Sequence, residues 1–294
     1  MLNYFYLKKR IKKNEGFRKS AYRDSLGHKT IGYGHLIKIN EKKIINKDIK
    51  KLFFMSSTVR LYFPDKIQSD LSSHLTKEQT HYLKDVMRLK KGDRLSVFNT
   101  LGEWNAVIEN YEKKGVKIKI IDKARDKDNE KNIWLAFSPI KQNPLNFVIQ
   151  KGTELGVQRF VPILSERTVV RKINIERIKK IVVEASEQSN RISVPEIYKP
   201  ESLKIFLYQF PKNGFLIFCD INSNQNSLEK ILKKNITQPV CILIGPEGDF
   251  SENERKMIIQ QKQSYSLSLT KNILKSETAA LSAITIVNHY LNRS

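Results

Sequence analysis

The chain has 294 residues, 40% of them hydrophobic, which is enough for two domains with cores of their own. No apolar run approaches the roughly 20 residues that span a membrane. The apolar patch Leu2 to Leu7 is too short for a signal-peptide core and has no small-residue cleavage site after it, so a cytoplasmic protein without a membrane partner is expected. The formal charge of +23 favours a polyanionic partner such as RNA, because basic side chains gain from releasing condensed counterions.

That charge is unevenly spread. Residues 1–54 carry 15 Lys/Arg against 4 Asp/Glu, a net +11, while the remaining 240 carry 38 against 26, a net +12. The first 54 residues read as a Lys-rich helix-like segment, a Gly-rich hairpin and a Lys/Ile-rich stretch. The hairpin region, EGFRKSAYRDSLGHKTIGYGH from Glu15 to His35, holds the residue types that glycosidic cleavage needs. Glu15 is a candidate acid for a leaving oxygen, with Asp24 and Thr30 as polar partners across a cleft. In type and spacing the three resemble the catalytic motif of phage-type lysozymes. That family closes its cleft with a second, helical lobe, whereas here the chain changes character soon after His35. Residues 1–54 therefore read as a truncated, lysozyme-like α+β fragment, inactive as it stands, with muramidase activity as the alternative function.

At FFMSSTVRLYF something new begins, and Met55 could itself be a start. Residues 55–123 read mostly as strands: alternation runs through DRLSVFN, EWNAVIENY and GVKIKIID, separated by Gly-containing turns. One helix interrupts them, from Thr76 to Met87, opened by a capping box of Thr76 and Gln79. Several short strands and one helix predict a small β-barrel.

A charged linker, Lys123 to Asn132, leads to a region of different period, 133–294. Apolar strands WLAFSPI, RFVPILS, GFLIFCD and PVCILIG alternate with helices at Asn143–Leu155, Ile175–Ser189 and Asn253–Gln261. A fifth strand, SYSLSL, precedes a last helix from about Thr278 to Leu291. The alternation predicts a parallel sheet with helices on both faces, whose ligands bind at the carboxyl ends of the strands. Cys219 and Cys241 fall inside apolar strands, which predicts buried reduced thiols and no metal site.

Two loops follow strands where a ligand would sit. Gly245-Pro246-Glu247-Gly248-Asp249-Phe250-Ser251 joins VCILI to a helix whose Ser251 and Glu254 form a second capping box. Leu269 to Ala280, LTKNILKSETAA, enters the final helix. The first is neither a dinucleotide fingerprint nor a phosphate loop. Together, GPEGDFS and ILKSETAALSA resemble the SPOUT class of methyltransferases, and within it the bacterial 16S ribosomal RNA uracil-N3 methyltransferase family. KGTELGV, EASEQSNR, VPEI and HYLKDVMRLKKGD match the same family in order, so the likeness covers Met55 to the C-terminus.

The resemblance implies a knotted SPOUT-type α/β domain with a C-terminal trefoil knot, a PUA-like RNA-binding barrel before it, S-adenosylmethionine as cofactor, 16S rRNA of the small subunit as substrate, and a homodimer. Carried over by motif, the cofactor loops would include Leu243, Gly245, Glu247, Gly248, Leu269, Ile273, Leu274 and Ala279. The chain departs from the family at Asp249, where Gly is usual, and at Thr270 to Lys275, where Arg is usual. Removing the N3 proton of uracil requires a carboxylate or positive charge beside it. Glu187 is the candidate base, Gln188 would orient the base edge, and Arg191 would hold phosphate or the uracil anion. Arg60, Arg88 and Lys275 are candidate RNA contacts. Lys151 and Glu154 form a helical pair or line the site, while His81 and His289 belong to core or surface. A protein that binds RNA without catalysis is the remaining alternative.

Overall fold

The computed structural model describes residues 18–23, 29–32, 35–36, 59–127, 129–223, 228, 232 and 236–292. The chain divides between Thr58 and Val59 into two units. In the first, strands β1 (Arg18–Arg23), β2 (Lys29–Gly32) and β3 (His35–Leu36) form an antiparallel sheet in that order. Thr30 lies on β2, whereas Glu15 and Asp24 lie outside the described residues.

The second unit opens with β4 (Val59–Tyr62), in which Val59 and Leu61 are buried and Arg60 and Tyr62 half-buried. It joins β5 (Ser72–His74), β6 (Arg94–Asn99), β7 (Gly102–Glu112) and β8 (Gly115–Asp126) in a five-stranded sheet ordered β4-β6-β7-β8-β5. The predicted alternation holds: Trp104, Ala106 and Ile108 of β7 and Val116, Ile118 and Ile120 of β8 all enter one core. The path ends at β4 and β5 without a ladder between them among the described residues, so the expected barrel is a sheet finished by a helix. That helix, α1 (Lys77–His81), has the predicted capping box and continues into a π-helical turn, Tyr82–Val86. Gln79 Nε2 donates to the Tyr62 carbonyl of β4 at 2.8 Å, and the Val116 N–H of β8 donates to Thr80 Oγ1 at 2.9 Å. The helix thus bridges two strands that do not themselves pair.

The larger sheet is parallel throughout. Its strands are β9 (Ile133–Phe137), β10 (Val157–Leu164), β11 (Glu196–Ile197), β12 (Glu201–Ser202), β13 (Phe215–Cys219), β14 (Val240–Ile244) and β15 (Ser264–Leu267). The order is β11-β10-β9-β14-β13-β15, with β12 also paired to β10. Helices cover both faces, and successive strand residues divide between them. Ile133, Leu135 and Phe137 pack with α2 (Gln142–Glu154), α3 (Ile175–Gln188) and α6 (Ser276–Leu291). Trp134 and Ala136 face the opposite way, towards α4 (Leu203–Gln209) and α5 (Glu252–Ile259). The α4 helix was not predicted: it is seven residues long, too short for a helical period to stand out. After β15, on the outer side of β13, the last helix returns across the sheet to α2, sharing a core with Ile242 and Ile244 of β14. Among the described residues no helix is long and apolar enough to cross a membrane.

Candidate functional site

Because the strands are parallel, the loops that follow them gather at one edge. Ile244 ends β14 beside Phe137, the end of β9. The chain then turns through Gly245 to Ser251, closed by the Asp249 N–H donating to the Pro246 carbonyl at 2.9 Å. Asp249 has φ +60°, the left-handed region, and its Oδ1 accepts from the Phe250 N–H at 2.7 Å. This conformation explains the glycine usual in the resembling family, and the side-chain hydrogen bond explains why Asp is tolerated. Phe250 anchors the turn against Phe218, the ring centroids 5.7 Å apart. A Cβ on Gly245 would lie 3.0 Å from the Phe250 ring, so this glycine lets the aromatic seat closely.

The first turn of α5 ties the loop to its neighbours. Its predicted capping box is present, and the buried Glu254 carboxylate also accepts from the Glu166 N–H, beyond β10, at 2.8 Å. Arg255 forms a forked pair with the buried Asp220 carboxylate, just after β13. From the loop after β10, Arg167 Nη1 donates to the Gly248 carbonyl at 2.8 Å. On the other side Ser276 and Ala280 of α6 share a narrow crevice with Phe137, Ser138, Ile140 and Ile244.

Most of the predicted cofactor residues lie on these loops. Glu247 and Gly248 are exposed on the first; Leu269, Leu274 and Ala279 are half-buried on or beside the second, and Ile273 is 87% exposed. Leu243 is the exception. Its side chain is fully buried and its backbone is laddered to Phe218 and Ala136, so it supports the loop from beneath. The donor set suits S-adenosylmethionine: apolar side chains for a flat purine, loop backbone for its polar edge and ribose, and the Glu247 carboxylate for a cation. Lys275 is exposed at the N-cap of α6, where a cation is disfavoured by the helix dipole. Asn272 and Thr270 close the loop before it with a local hydrogen bond of 3.3 Å.

The expected catalytic trio lies elsewhere. Arg191 donates to the carbonyl of Val157, the first residue of β10, at 2.8 Å, and to that of Thr153 at 2.6 Å. Its other donors go to Glu130 and Ser193, at 2.6 to 3.3 Å. All five N–H groups are thereby occupied. Glu187, Gln188 and Arg191 therefore sit at the amino edge of the sheet, and a five-residue strand alone spans roughly 16 Å to the other edge. They lie at the opposite edge of the sheet from the carboxyl-edge loops, and Arg191 is buried with its donors engaged inside the protein.

Arg60 is corrected for the same reason. It grips Glu103 with Nε and Nη2 at 2.8 and 3.2 Å, and reaches the carbonyls of Ser186, Glu187 and Arg191 at 2.8 to 3.2 Å. Again five donors are occupied, so Arg60 ties the smaller sheet to the end of α3 and has none left for RNA. Burial would raise the Glu103 carboxyl, but Arg60 and Arg125 together hold it below the ordinary range. Glu187 Oε1 accepts from the Tyr62 N–H at 2.9 Å, yet burial dominates and pushes its carboxyl up to about 7. Gln188 is exposed near the Tyr82 hydroxyl, whose pKa is raised by burial and then by Glu187 and Glu184. Arg88 is exposed with φ +55°. Lys151 and Glu154 pair at 2.8 Å, and His81 and His289 are exposed. Cys241 is buried and Cys219 half-buried, both free; burial pushes the Cys219 thiol up to about 12. Among the described residues no cluster could hold a metal.

Sequence reasoning missed the loop after β10, Ser165 to Arg171. Ser165 Oγ and Thr168 Oγ1 lie 2.8 Å apart within it, and it supplies both Arg167 and the Glu166 N–H that Glu254 holds. The signal was available: the loop follows a strand at its carboxyl end, as the other two do.

A parallel SPOUT-type sheet preceded by a PUA-like sheet, with ligand loops at its carboxyl edge, defines an RNA methyltransferase architecture. Residues 127–288 match the family model of the RNA methyltransferase domain, and residues 75–121 that of the RNA methyltransferase PUA domain. The chain belongs to the ribosomal RNA small subunit methyltransferase E family. It is 32% identical to that enzyme of Rickettsia conorii over 231 residues, covering 78% of this chain and 94% of the relative. The Bacillus subtilis enzyme is 28% identical, with 73% and 89% covered. The Neisseria gonorrhoeae enzyme, solved bound to S-adenosyl methionine, superposes with a TM-score of 0.72 at 25% identity, covering 80% of this chain and 98% of that one. A Legionella pneumophila protein solved with bound cofactor SAM gives 0.69 at 29% identity, with 79% and 98% covered. Residues 12–87 also match the phage lysozyme family model. The later part of that match belongs to the five-stranded sheet, because Val59, Leu61, Phe63, Leu75 and Leu83 lie in its core.

Proposed function

We propose that this chain transfers the methyl group of S-adenosylmethionine to N3 of a specific uridine in 16S rRNA of the small ribosomal subunit. The observation that carries the reading is the pair of carboxyl-edge loops, with Gly245, Glu247 and Gly248 on one and Leu269, Ile273 and Leu274 on the other, in a chain of this family. The cofactor supplies an electrophilic methyl carbon. The chain's residues position two reactants and exclude water, which suffices for an in-line displacement once the N3 proton has left. Gly245 and Gly248 let backbone approach the ligand, Leu269, Ile273, Leu274 and Ala279 form an apolar wall, and Glu247 faces a cation.

On this reading residues 55–123 are a PUA-like RNA support and residues 133–294 a knotted SPOUT domain. Arg88 and Lys275, both exposed, remain RNA contacts. The reading includes a homodimer, to be tested by light scattering, and a cytoplasmic location.

The test mixes the full chain with labelled S-adenosylmethionine and small subunits lacking native uridine N3 methylation, followed by nucleoside analysis. N3-methyluridine is the expected product. Cofactor binding and RNA binding without transfer would replace the enzyme by a binding protein. Peptidoglycan hydrolysis abolished by Glu15→Gln would revive the muramidase alternative.

A further inference from the structure

Methylating N3 of uracil leaves a problem of charge: losing the N3 proton spreads a negative charge over the ring oxygens, and the RNA backbone brings its own anions to the same place. An arginine is suited to both, but two of the arginines expected to serve, Arg60 and Arg191, have all their donors engaged inside the protein. The structure offers a different one.

Arg167 is exposed on the loop after β10 and lies across the candidate cofactor loop. Its Nη1 donates to the Gly248 carbonyl at 2.8 Å, and a Cβ built on Gly248 would meet Arg167 Cδ at 3.7 Å and Cβ at 3.8 Å. Its loop is braced from beneath: Glu254 accepts from the neighbouring Glu166 N–H, and Thr168 Oγ1 accepts from the Ser165 N–H at 2.8 Å. One donor is thus engaged by the cofactor loop, leaving the rest of the guanidinium to solvent among the described residues. Arg171, exposed on the same loop, makes only long contacts of 3.3 and 3.4 Å to the carbonyls of Glu166 and Ser165.

We propose that Arg167 is a substrate-contacting residue of the methyl-transfer site, holding the Gly248 loop with one N–H and presenting its remaining donors to an anionic oxygen of the RNA. That oxygen comes either from the deprotonated uracil ring or from a flanking phosphate. The inference rests on the reading of the site as an S-adenosylmethionine-dependent uridine methyltransferase.

The experiment compares the full chain with Arg167→Gln and Arg167→Lys. Cofactor affinity is measured by calorimetry without RNA, transfer kinetics with unmethylated small subunits, and subunit binding as a function of salt. The expected result for Arg167→Gln is cofactor affinity within about threefold of the parent and transfer reduced roughly 100-fold. A loss in kcat that Arg167→Lys fails to restore assigns the contact to the uracil oxygen, which needs the fork. A loss in KM, a salt slope smaller by about one and recovery in Arg167→Lys assign it to phosphate. Unchanged transfer, or a loss fully accounted for by weaker cofactor binding, overturns the proposal. Should the parent chain itself give no transfer, the function reading fails separately. The salt slope then decides the inference, and an unchanged slope in Arg167→Gln overturns it.

Discussion

Nη2 of Arg60 donates to the backbone carbonyl of Arg191 at 2.8 Å, and every N–H of both guanidiniums is engaged within the protein. The pair joins the two sheets of the larger unit: Arg60 is on β4, while Arg191 binds the start of β10. Buried charges held this way are costly to disturb singly, because the partner left behind is an uncompensated charge or carbonyl.

Arg191→Lys should therefore destabilise the fold by about 2–4 kcal/mol, since an ammonium cannot reproduce the fork to Glu130 and two carbonyls. Urea unfolding measures this directly. Removing the charge, as in Arg191→Gln, should leave the salt dependence of RNA binding as in the parent; a slope smaller by about one would return Arg191 to the RNA interface.

Glu187 gives a pH dependence whose sign is fixed by its raised carboxyl, about 7 against an ordinary 4.5. The folded chain holds this proton more tightly than the unfolded chain. The associated stability is therefore fully present below about 4.5 and lost as pH rises through about 7. In Glu187→Gln the amide oxygen still accepts from the Tyr62 N–H, but nothing ionises. Between pH 5 and pH 8 the variant should gain on the parent by roughly 1–3 kcal/mol, after discounting for partial exposure. Parallel stability curves over that range would show Glu187 to titrate as an ordinary carboxyl.

Asp249 tests the left-handed turn within the candidate cofactor loop. Asp249→Gly removes the steric cost of φ +60° together with a capping hydrogen bond, so stability should change by less than about 1 kcal/mol. Asp249→Val loses the hydrogen bond and adds a branched side chain where none is favoured. It should lower stability by about 2 kcal/mol and weaken cofactor binding. Thermal melts with and without S-adenosylmethionine distinguish the two substitutions.

What could be read from the sequence followed from periodicity and local chemistry. Alternation in β7 and β8, the capping boxes at Thr76 and Ser251, and the strand-helix order from Ile133 to Leu291 all depend on near neighbours along the chain, and all are present. The roles of Arg60, Glu187 and Arg191 were not legible, because their partners lie far away in sequence: Arg60 meets Arg191 across 131 positions. A charged residue reads alike from sequence whether it faces RNA or a buried carbonyl. Edge placement, too, depends on the direction of a helix: α3 starts beyond the end of β10 and returns its last residues to the amino edge. The match to phage lysozyme crosses a unit boundary for a related reason, since a local likeness does not know which core claims Leu75 and Leu83.

Gly248 offers the sharpest separation of fold from ligand. Its φ is not among the positive values, and a Cβ there would make only ordinary contacts with Arg167, at 3.7 and 3.8 Å. Gly248→Ala should therefore melt within about 1 kcal/mol of the parent. The loop is exposed at this point, so a methyl group that costs the fold nothing would still stand between the backbone and a closely bound ligand. If Gly248 is needed for approach of the cofactor, affinity for S-adenosylmethionine in calorimetry should fall at least about tenfold, equivalent to about 1.4 kcal/mol. Gly245→Ala provides the contrast: its Cβ would meet the Phe250 ring at 3.0 Å, so it should lower stability and affinity together. Unchanged affinity in Gly248→Ala would move the cofactor away from this loop, and with it the reason for a glycine at that position.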